Sequence, residues 1–297
     1  MAKASSKMKH KPSVLSVSSL IILSLYSLIL IAVAIWAVIF SLTNFMEDIF
    51  FDNTYLVLPE KLHFENYKRV FEVMMVTVED GAGTRDVLLP EMFLNSLLFA
   101  VGSAFFGALA PCLMGYITSK FKFKFNNFIE GIVLITIVLP IVGSLPSNIR
   151  IVYGLGLNDS ISGIWIMAFG FANMYFFIFK AAFSAVPKSI SEAAYIDGAN
   201  HWSIFFTINL PLVKTTFFSV FTLILVSAWN NYATPLAFAP NVPTVSYGLM
   251  IFIHNTRVNE PPLQMAGALL LLIPILTVFA FTNQLLMGNL SIGGVKE

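Results

Sequence analysis

The stretch from Glu192 to Pro211 reads EAAYIDGANHWSIFFTINLP, a polar island between two long apolar runs. Its local signals describe two short helices joined by a bend. Pro187 cannot continue the helix before it, because proline lacks the amide hydrogen and clashes with the preceding turn. Ser189-Ile190-Ser191-Glu192 has the S-x-x-E spacing of a capping box and predicts a helix starting at Ser189. Gly198 suits the end of that helix, since glycine accepts the left-handed conformation found there. Asn200 is placed to cap a second helix running to about Phe206, and Pro211 fits the first turn of the apolar run that follows. The two arms would offer a small knob, with Ile190, Ala193, Ala194 and Ile196 on one and Trp202, Phe205 and Phe206 on the other. Ala193 and Ala194 are small enough for a partner groove to close on the backbone, and Glu192 and Asp197 can pair with partner cations. The blander reading is that Glu192 only completes the capping box and the aromatic rings pack on the chain's own helices.

The rest of the chain says what surrounds this island. Hydrophobic residues make up 57% and charged residues 11%, against about 25% charged in a soluble protein. Charge is absent from residues 12–46, 92–119, 131–149, 160–179, 215–253 and 261–295. Each run is long enough for the roughly 20 apolar residues of a spanning helix, so six spans are expected. The fold expectation is an all-α polytopic membrane protein with six transmembrane helices. It divides into a tail at 1–12, a first span at 13–46, an extracytoplasmic loop at 47–91, a core of five spans at 92–290 carrying the 187–211 loop, and a tail at 291–297. With the N-terminus inside and the spans alternating, eleven of the 17 Lys and Arg fall on the inner side. The positive-inside rule then favours both termini in the cytoplasm. The apolar stretch after Lys11 runs on through Phe45 without a polar break, so it is read as a retained span rather than a cleaved signal.

Several functions are disfavoured at this level. Cys112 is the single cysteine, and no His, Asp or Glu set clusters within the spans, so no catalytic residue or metal site is expected. Ion-driven carriers bury a carboxylate or histidine, and Glu130, at a span end, is the nearest candidate. Lys120 to Phe125 alternates charge with aromatic rings; beside a span it anchors at lipid headgroups rather than binding nucleic acid. No G-x-x-x-x-G-K-[ST] cradle for ATP phosphates is present. Within 47–91, Leu62 to Phe71 suits a short surface helix and Glu79 to Thr84 a turn. Residues 247–254 suit a re-entrant or surface helix.

Glu192-Ala193-Ala194, three residues, Gly198, nine residues, Ile208, one residue and Leu210-Pro211 resembles the EAA loop of bacterial ABC importer permeases. Ile196-Asp197-Gly198-Ala199 looks most like the carbohydrate-uptake branch. Leu94 to Leu97, Trp229-Asn230-Asn231-Tyr232 and Gly293-Gly294-Val295-Lys296 are similar to maltose-type permeases, so the resemblance covers about residues 90–297. It implies that the loop is a cytoplasmic coupling helix held in a cleft of a separate ATPase, with Glu192 facing a basic residue and Gly198 making the bend. The implied docking residues are Glu192, Ala193, Ala194, Asp197, Gly198, Ile208, Leu210 and Pro211. Asn209 falls where the motif is variable, and the 47–91 loop is longer than is usual for the family.

The implied function is the permease subunit of an ATP-driven, binding-protein-dependent importer of a sugar or oligosaccharide, working by alternating access in a bacterial inner membrane. It is not an enzyme and holds no cofactor; ATP and Mg belong to the partner. The implied partners are a pair of ATP-binding subunits, a second permease subunit, an extracytoplasmic solute-binding protein and the lipid bilayer. Sugars are recognised by aromatic faces and by amide or hydroxyl groups. Asn173 and Tyr175, with Trp229, Asn230, Asn231 and Tyr232, are therefore candidates to line the pathway, as are Ser144, Ser147 and Asn148. The alternative for each is a helix-to-helix hydrogen bond, about 0.6–2 kcal/mol in lipid. The competing functional class is a self-contained secondary transporter of a small polar solute.

Overall fold

The molecule is described by a computed structural model covering residues 14–46, 59, 61–81, 83–139, 143–254 and 260–290. The expected tails at 1–12 and 291–297 and all of 47–58 lie outside these residues. Helices α1 (Val14–Ser41) and α2 (Glu65–Val73) are followed by strands β1 (Met75–Asp80) and β2 (Gly83–Leu88). Then come α3 (Leu89–Lys120), α4 (Asn126–Val138), α5 (Ser144–Gly154), α6 (Ile161–Ala168), α7 (Met174–Ala185), α8 (Lys188–Ile196) and α9 (His201–Ser203). A π-helical turn (Ile204–Asn209), α10 (Leu210–Leu212), α11 (Lys214–Trp229), α12 (Ala233–Phe238), α13 (Val245–His254) and α14 (Pro261–Leu290) complete the order. Among the described residues, three helices are long and apolar enough to cross a membrane: residues 17–41 of α1, all of α3, and residues 261–280 of α14. A fourth exists if the pair His201–Leu212 and Lys214–Trp229, bent by 78°, counts as one span.

Contacts divide the chain into two units, residues 1–68 with 260–269 and residues 69–259 with 270–297. In the first, α1 exposes apolar side chains along its length, including Leu20, Ile22, Tyr26 and Leu30. A helix hydrophobic on all sides suits lipid rather than water. Its C-terminal carbonyls need partners. The buried Asn66 supplies them, donating to the oxygens of Ser41 and Thr43 at 2.9 Å each.

In the second unit the long helix α3 is the organiser. Ala100, Ala104, Ala108 and Cys112 recur every fourth residue and are buried, which lets neighbouring helices approach closely. At Gly115 a Cβ would lie 2.8 Å from the Lys180 amide nitrogen of α7. One core cluster joins Phe99, Ala100, Ala104, Ile164, Leu225, Ala228 and Trp229. A second joins Ala108, Cys112, Tyr116, Phe179, Phe183, Phe205, Val213 and Val220. Helix α11 contributes to both, so it links the two ends of the bundle.

Three expectations are corrected. First, the chain is not purely helical. β1 and β2 form an antiparallel hairpin pairing Met75 with Leu88 through Asp80 with Gly83. Val76, Val78 and Val87 are buried beneath it, the alternation that favours a strand, and Gly81 turns it at φ +60°. Second, the span expected over the uncharged run 131–149 is interrupted. It consists of the 13-residue α4 and the 11-residue α5, each too short at 1.5 Å per residue to cross the roughly 30 Å hydrocarbon core. Gly143, at φ +82°, precedes α5. Third, the span expected over the uncharged run 160–179 is broken between α6 and α7, where the Asn173 side chain accepts from Tyr175 N at 3.0 Å and restarts the helix.

A clasp fixes the hairpin to the helices. Asn241 Oδ1 accepts from Glu79 N of β1 at 2.9 Å. Asn241 also donates twice to Asp159, from its backbone N at 2.9 Å and its side chain at 2.7 Å. Asp159 has φ +54°, and its own N donates to Phe238 O at 3.0 Å. Arg85 grips Glu91 through two hydrogen bonds at 2.9 and 2.8 Å, and these raise the Arg85 pKa further.

Candidate functional site

The 187–211 stretch folds as an elbow. Pro187, extended at ψ 136°, is the residue before α8, and the helix begins at Lys188 with no side-chain cap. Ser189 therefore sits inside the first turn, and the expected capping box does not form. Glu192 is left exposed, with no ion pair or side-chain hydrogen bond among the described residues. The helix ends as expected. Gly198 has φ +85°, its N donates to Tyr195 O at 3.1 Å, and Ala199 N donates to Ala194 O at 3.0 Å. This 5→2 and 6→1 pair is the Schellman arrangement, which satisfies carbonyls that a helix end otherwise leaves orphaned. Asn200 then caps the second arm, accepting from Ser203 N at 2.8 Å.

The second arm runs further than the expected Phe206, through the π turn to Leu212. Pro211 lies in its last turn rather than in the first turn of α11. The 78° corner follows, at the buried Val213. Two contacts hold the elbow closed. Tyr195 Oη and the His201 ring hydrogen-bond across the bend, with ring centroids 4.8 Å apart. Asn209, 0% exposed, donates to Ser191 Oγ at 3.1 Å and Ile204 O at 3.3 Å. The residue expected to be variable is thus the latch between the arms. Its signal was an amide inside the apolar run Ile208-Asn209-Leu210.

The knob is divided by the structure. Ile196, 87% exposed, Ile190, Trp202 and Phe206 face outward, with Trp202 stacked on Phe206. Ala193 and Asp197 are exposed, and Ala194 is half-buried. Phe205 departs from the expectation. It is buried against Tyr116, at 4.8 Å between centroids, and near Phe183. Ile208 and Leu210 are half-buried and Pro211 is exposed. Lys120, at the end of α3, donates to Val186 O at 2.6 Å. Lys120 thus ties the end of α3 to the backbone just before Pro187 and α8, and Phe205 roots the second arm in the core. Between α8, the bend and the end of α3 lies a mostly apolar cleft of about 290 Å³, bordered by Tyr116, Phe121, Lys188, Tyr195 and Ile196.

The expected pathway residues separate into four places. Trp229 is buried in the core and donates to Leu271 O at 3.2 Å. Asn173 is spent on capping α7, and Tyr175 packs against the second core cluster. Asn230 and Tyr232 border a cleft of about 320 Å³ with Ser246, Met250 and His254. Asn231 borders a different cleft of about 330 Å³, with Asn148 from the same expectation and Ser103, Ser227, Thr234 and Phe238 besides. No group of three His, Cys, Asp or Glu side chains arranged to hold a metal occurs among the described residues.

Residues 107–287 match the family described as binding-protein-dependent transport system inner membrane component, and the chain belongs to that family. It is similar to the arabinooligosaccharides transport system permease protein AraQ of Bacillus subtilis, 25% identical over 240 residues, covering 80% of each chain. It is 28% identical over 210 residues to the lactose transport system permease protein LacG of Rhizobium radiobacter, covering 70% of this chain and 76% of that one. The fold matches a chain of a bacterial ABC transporter involved in the import of the acidic polysaccharide alginate. The TM-score is 0.71 at 19% identity, over 96% of this chain and 99% of that one. The protein is thus a multi-pass permease component of a binding-protein-dependent transport system.

Proposed function

We propose that this chain is the permease subunit of an ATP-driven importer of a sugar or oligosaccharide, with ATP hydrolysed on a separate subunit pair. The observation that carries the proposal is the elbow. It is a Schellman-terminated helix with exposed Glu192, Ala193, Ile196 and Asp197; Lys120 of α3 holds Val186 just before it, and Phe205 of the arm after it is set in the core. A groove in an ATPase that closes on α8 meets small side chains and a free carboxylate. When the groove moves, the load passes through buried aromatic contacts rather than through a flexible loop. Ile208, Leu210 and Pro211 belong to the same element as the arm that ends at the 78° corner.

On this reading 187–211 is cytoplasmic, as are both termini. The chain makes six crossings, those of α4–α5 and α6–α7 being built from short helices. Irregular backbone at membrane depth is tolerated where protein or a water-filled cavity surrounds it, which suits a solute path near α5, α6 and α12. Asn230, Asn231 and Tyr232 would face solute there, with Asn173, Tyr175 and Trp229 fixing the walls. A second permease subunit would complete the path, and an external binding protein would deliver solute near the hairpin. The reading keeps the division into 13–46 as the first transmembrane span, 47–91 as the extracytoplasmic loop, and 92–290 as the core of five spans. Solutes carried by the similar proteins favour carbohydrate over a general polar solute.

The test is ATP-driven uptake in proteoliposomes holding this chain with its ATPase pair, companion permease and binding protein. The reading expects lactose, arabinotriose or maltotriose to enter only with ATP and binding protein. Uptake by this chain alone, driven by a proton or sodium gradient, would favour a secondary transporter.

A further inference from the structure

We infer that the cleft bounded by α3, α5, α6, α11 and α12 is a subsite for the hydroxyl groups of a neutral, polyhydroxylated solute, with Ser103, Asn148 and Ser227 as the hydrogen-bonding residues. This deepens the importer reading and rests on it. The volume is about 330 Å³, within the range of small-ligand clefts. Ser103 is 6% exposed, and its hydroxyl has no hydrogen-bond partner. A buried hydroxyl left unpaired is costly, so this one points to a group that arrives. Asn148 on α5 and Ser227 on α11 also border the cleft, and neither side chain has a partner among the described residues. Three unspent polar groups from three helices thus converge on one space.

Most other polar groups of the region are already engaged, and among the described residues of the two clefts Ser103 alone is a buried side chain whose polar atom has no partner. Asn231 donates to Thr234 Oγ1 at 2.9 Å and accepts from Thr234 N at 3.0 Å, capping α12. In the neighbouring cleft Ser246 donates to Trp229 O, and His254 bonds Met250 O. No charged side chain borders the Ser103 cleft, whereas Phe99 and Phe238 do. Hydroxyl and amide groups beside aromatic rings recognise neutral hydroxylated molecules; an ion would find no counter-charge.

Cys112 is the single cysteine and is buried, so a Cys112→Ala background allows thiol mapping. Ser227, exposed in the free chain, becomes Ser227→Cys, with Thr207→Cys on the elbow as the control. The complete reconstituted assembly is alkylated with a maleimide in the presence of lactose, arabinotriose or maltotriose. The inference expects the saccharide that is taken up to slow modification at position 227 and leave position 207 unchanged. It also expects Ser103→Ala and Asn148→Ala to raise the half-saturating solute concentration about three- to tenfold, the effect of one lost hydrogen bond, with maximal ATP turnover retained. If uptake proceeds while position 227 is unprotected and the alanine variants match the parent, the subsite is wrong and the importer reading stands. If ATP turnover responds to the binding protein but no saccharide enters, both are wrong. An unchanged Ser103→Ala alone means that its hydroxyl merely bonds back to its own helix, and removes it from the subsite.

Discussion

Replacing Gly198 with alanine isolates the bend from everything else in the molecule. The glycine has φ +85°, and nothing lies within 4 Å of the position a Cβ would take. The cost is therefore backbone strain alone, about 1–2 kcal/mol for an L-residue held left-handed. Helix α8 buries no residue of its own, and a nine-residue helix is marginal without tertiary support, so the strain is opposed mainly by the Tyr195–His201 and Asn209–Ser191 contacts. If the ATPase binds only the bent elbow, its apparent affinity falls with the bent population. A cost of 1–2 kcal/mol becomes a loss of roughly 5- to 30-fold. Asparagine tolerates the left-handed region better than alanine, so Gly198→Asn should lose at most about threefold. The assay is titration of the purified ATPase against the permease in nanodiscs, with thermal unfolding of the bundle as control; Tm should be unchanged for both variants. Equal affinity of the alanine and glycine proteins would refute the reasoning, as would an asparagine variant weaker than the alanine one.

Asn209→Leu removes the latch and leaves Ser191 Oγ and the Ile204 carbonyl without their amide donor, at about 1–3 kcal/mol; hydrogen exchange should quicken across 189–197 and not in α11. Gly115→Ala drives a Cβ to 2.8 Å from the Lys180 backbone nitrogen, which cannot yield like a flexible side chain. The helices α3 and α7 must part, at about 1–3 kcal/mol, seen as a lower Tm. Gly131→Ala in α4 meets nothing within 4 Å and should be neutral or stabilising by up to about 1 kcal/mol, measured in the same melt. Asn241→Ala breaks the clasp, so limited proteolysis between 80 and 83 should accelerate while the elbow stays intact; unchanged cleavage would mean that the hairpin is held by its valines alone.

Much of the elbow was legible in the sequence because its signals are local. Proline before the first arm, glycine in its Schellman end and asparagine at the start of the second each act within four residues. The S-x-x-E spacing misled because Pro187 already fixes the helix start, so the reciprocal capping bonds have no place. The broken spans were only partly legible. Uncharged runs give apolar length but not continuity; Pro140 and Pro146, with Gly143 between them, invite a bend in the 131–149 run, whereas the break before α7 rests on Asn173, a residue also tolerated in unbroken spans. The hairpin was missed although Met75 to Val78 alternates with β-branched residues, because a four-residue alternation is weak evidence in a loop. Asn209 carried a local signal, an amide in an apolar run, but its partner did not, and the roles of Ser103 and Asn241 were beyond local reading altogether. Their meaning lies in what α5, Ser191 and Asp159 bring beside them, and single-sequence spacing does not encode such long-range juxtapositions.

The central claim is that α8 lies on the cytoplasmic side and is covered by another polypeptide. The measurement that tests it most directly is thiol accessibility at Ala193→Cys in the Cys112→Ala background, in intact cells, in inverted vesicles, and with or without the ATPase subunit. The account predicts no reaction with a membrane-impermeant maleimide from outside, rapid reaction from inside without the ATPase, and strong protection when the ATPase is bound. Labelling of intact cells from the outside, or equal labelling with and without the ATPase, would contradict it.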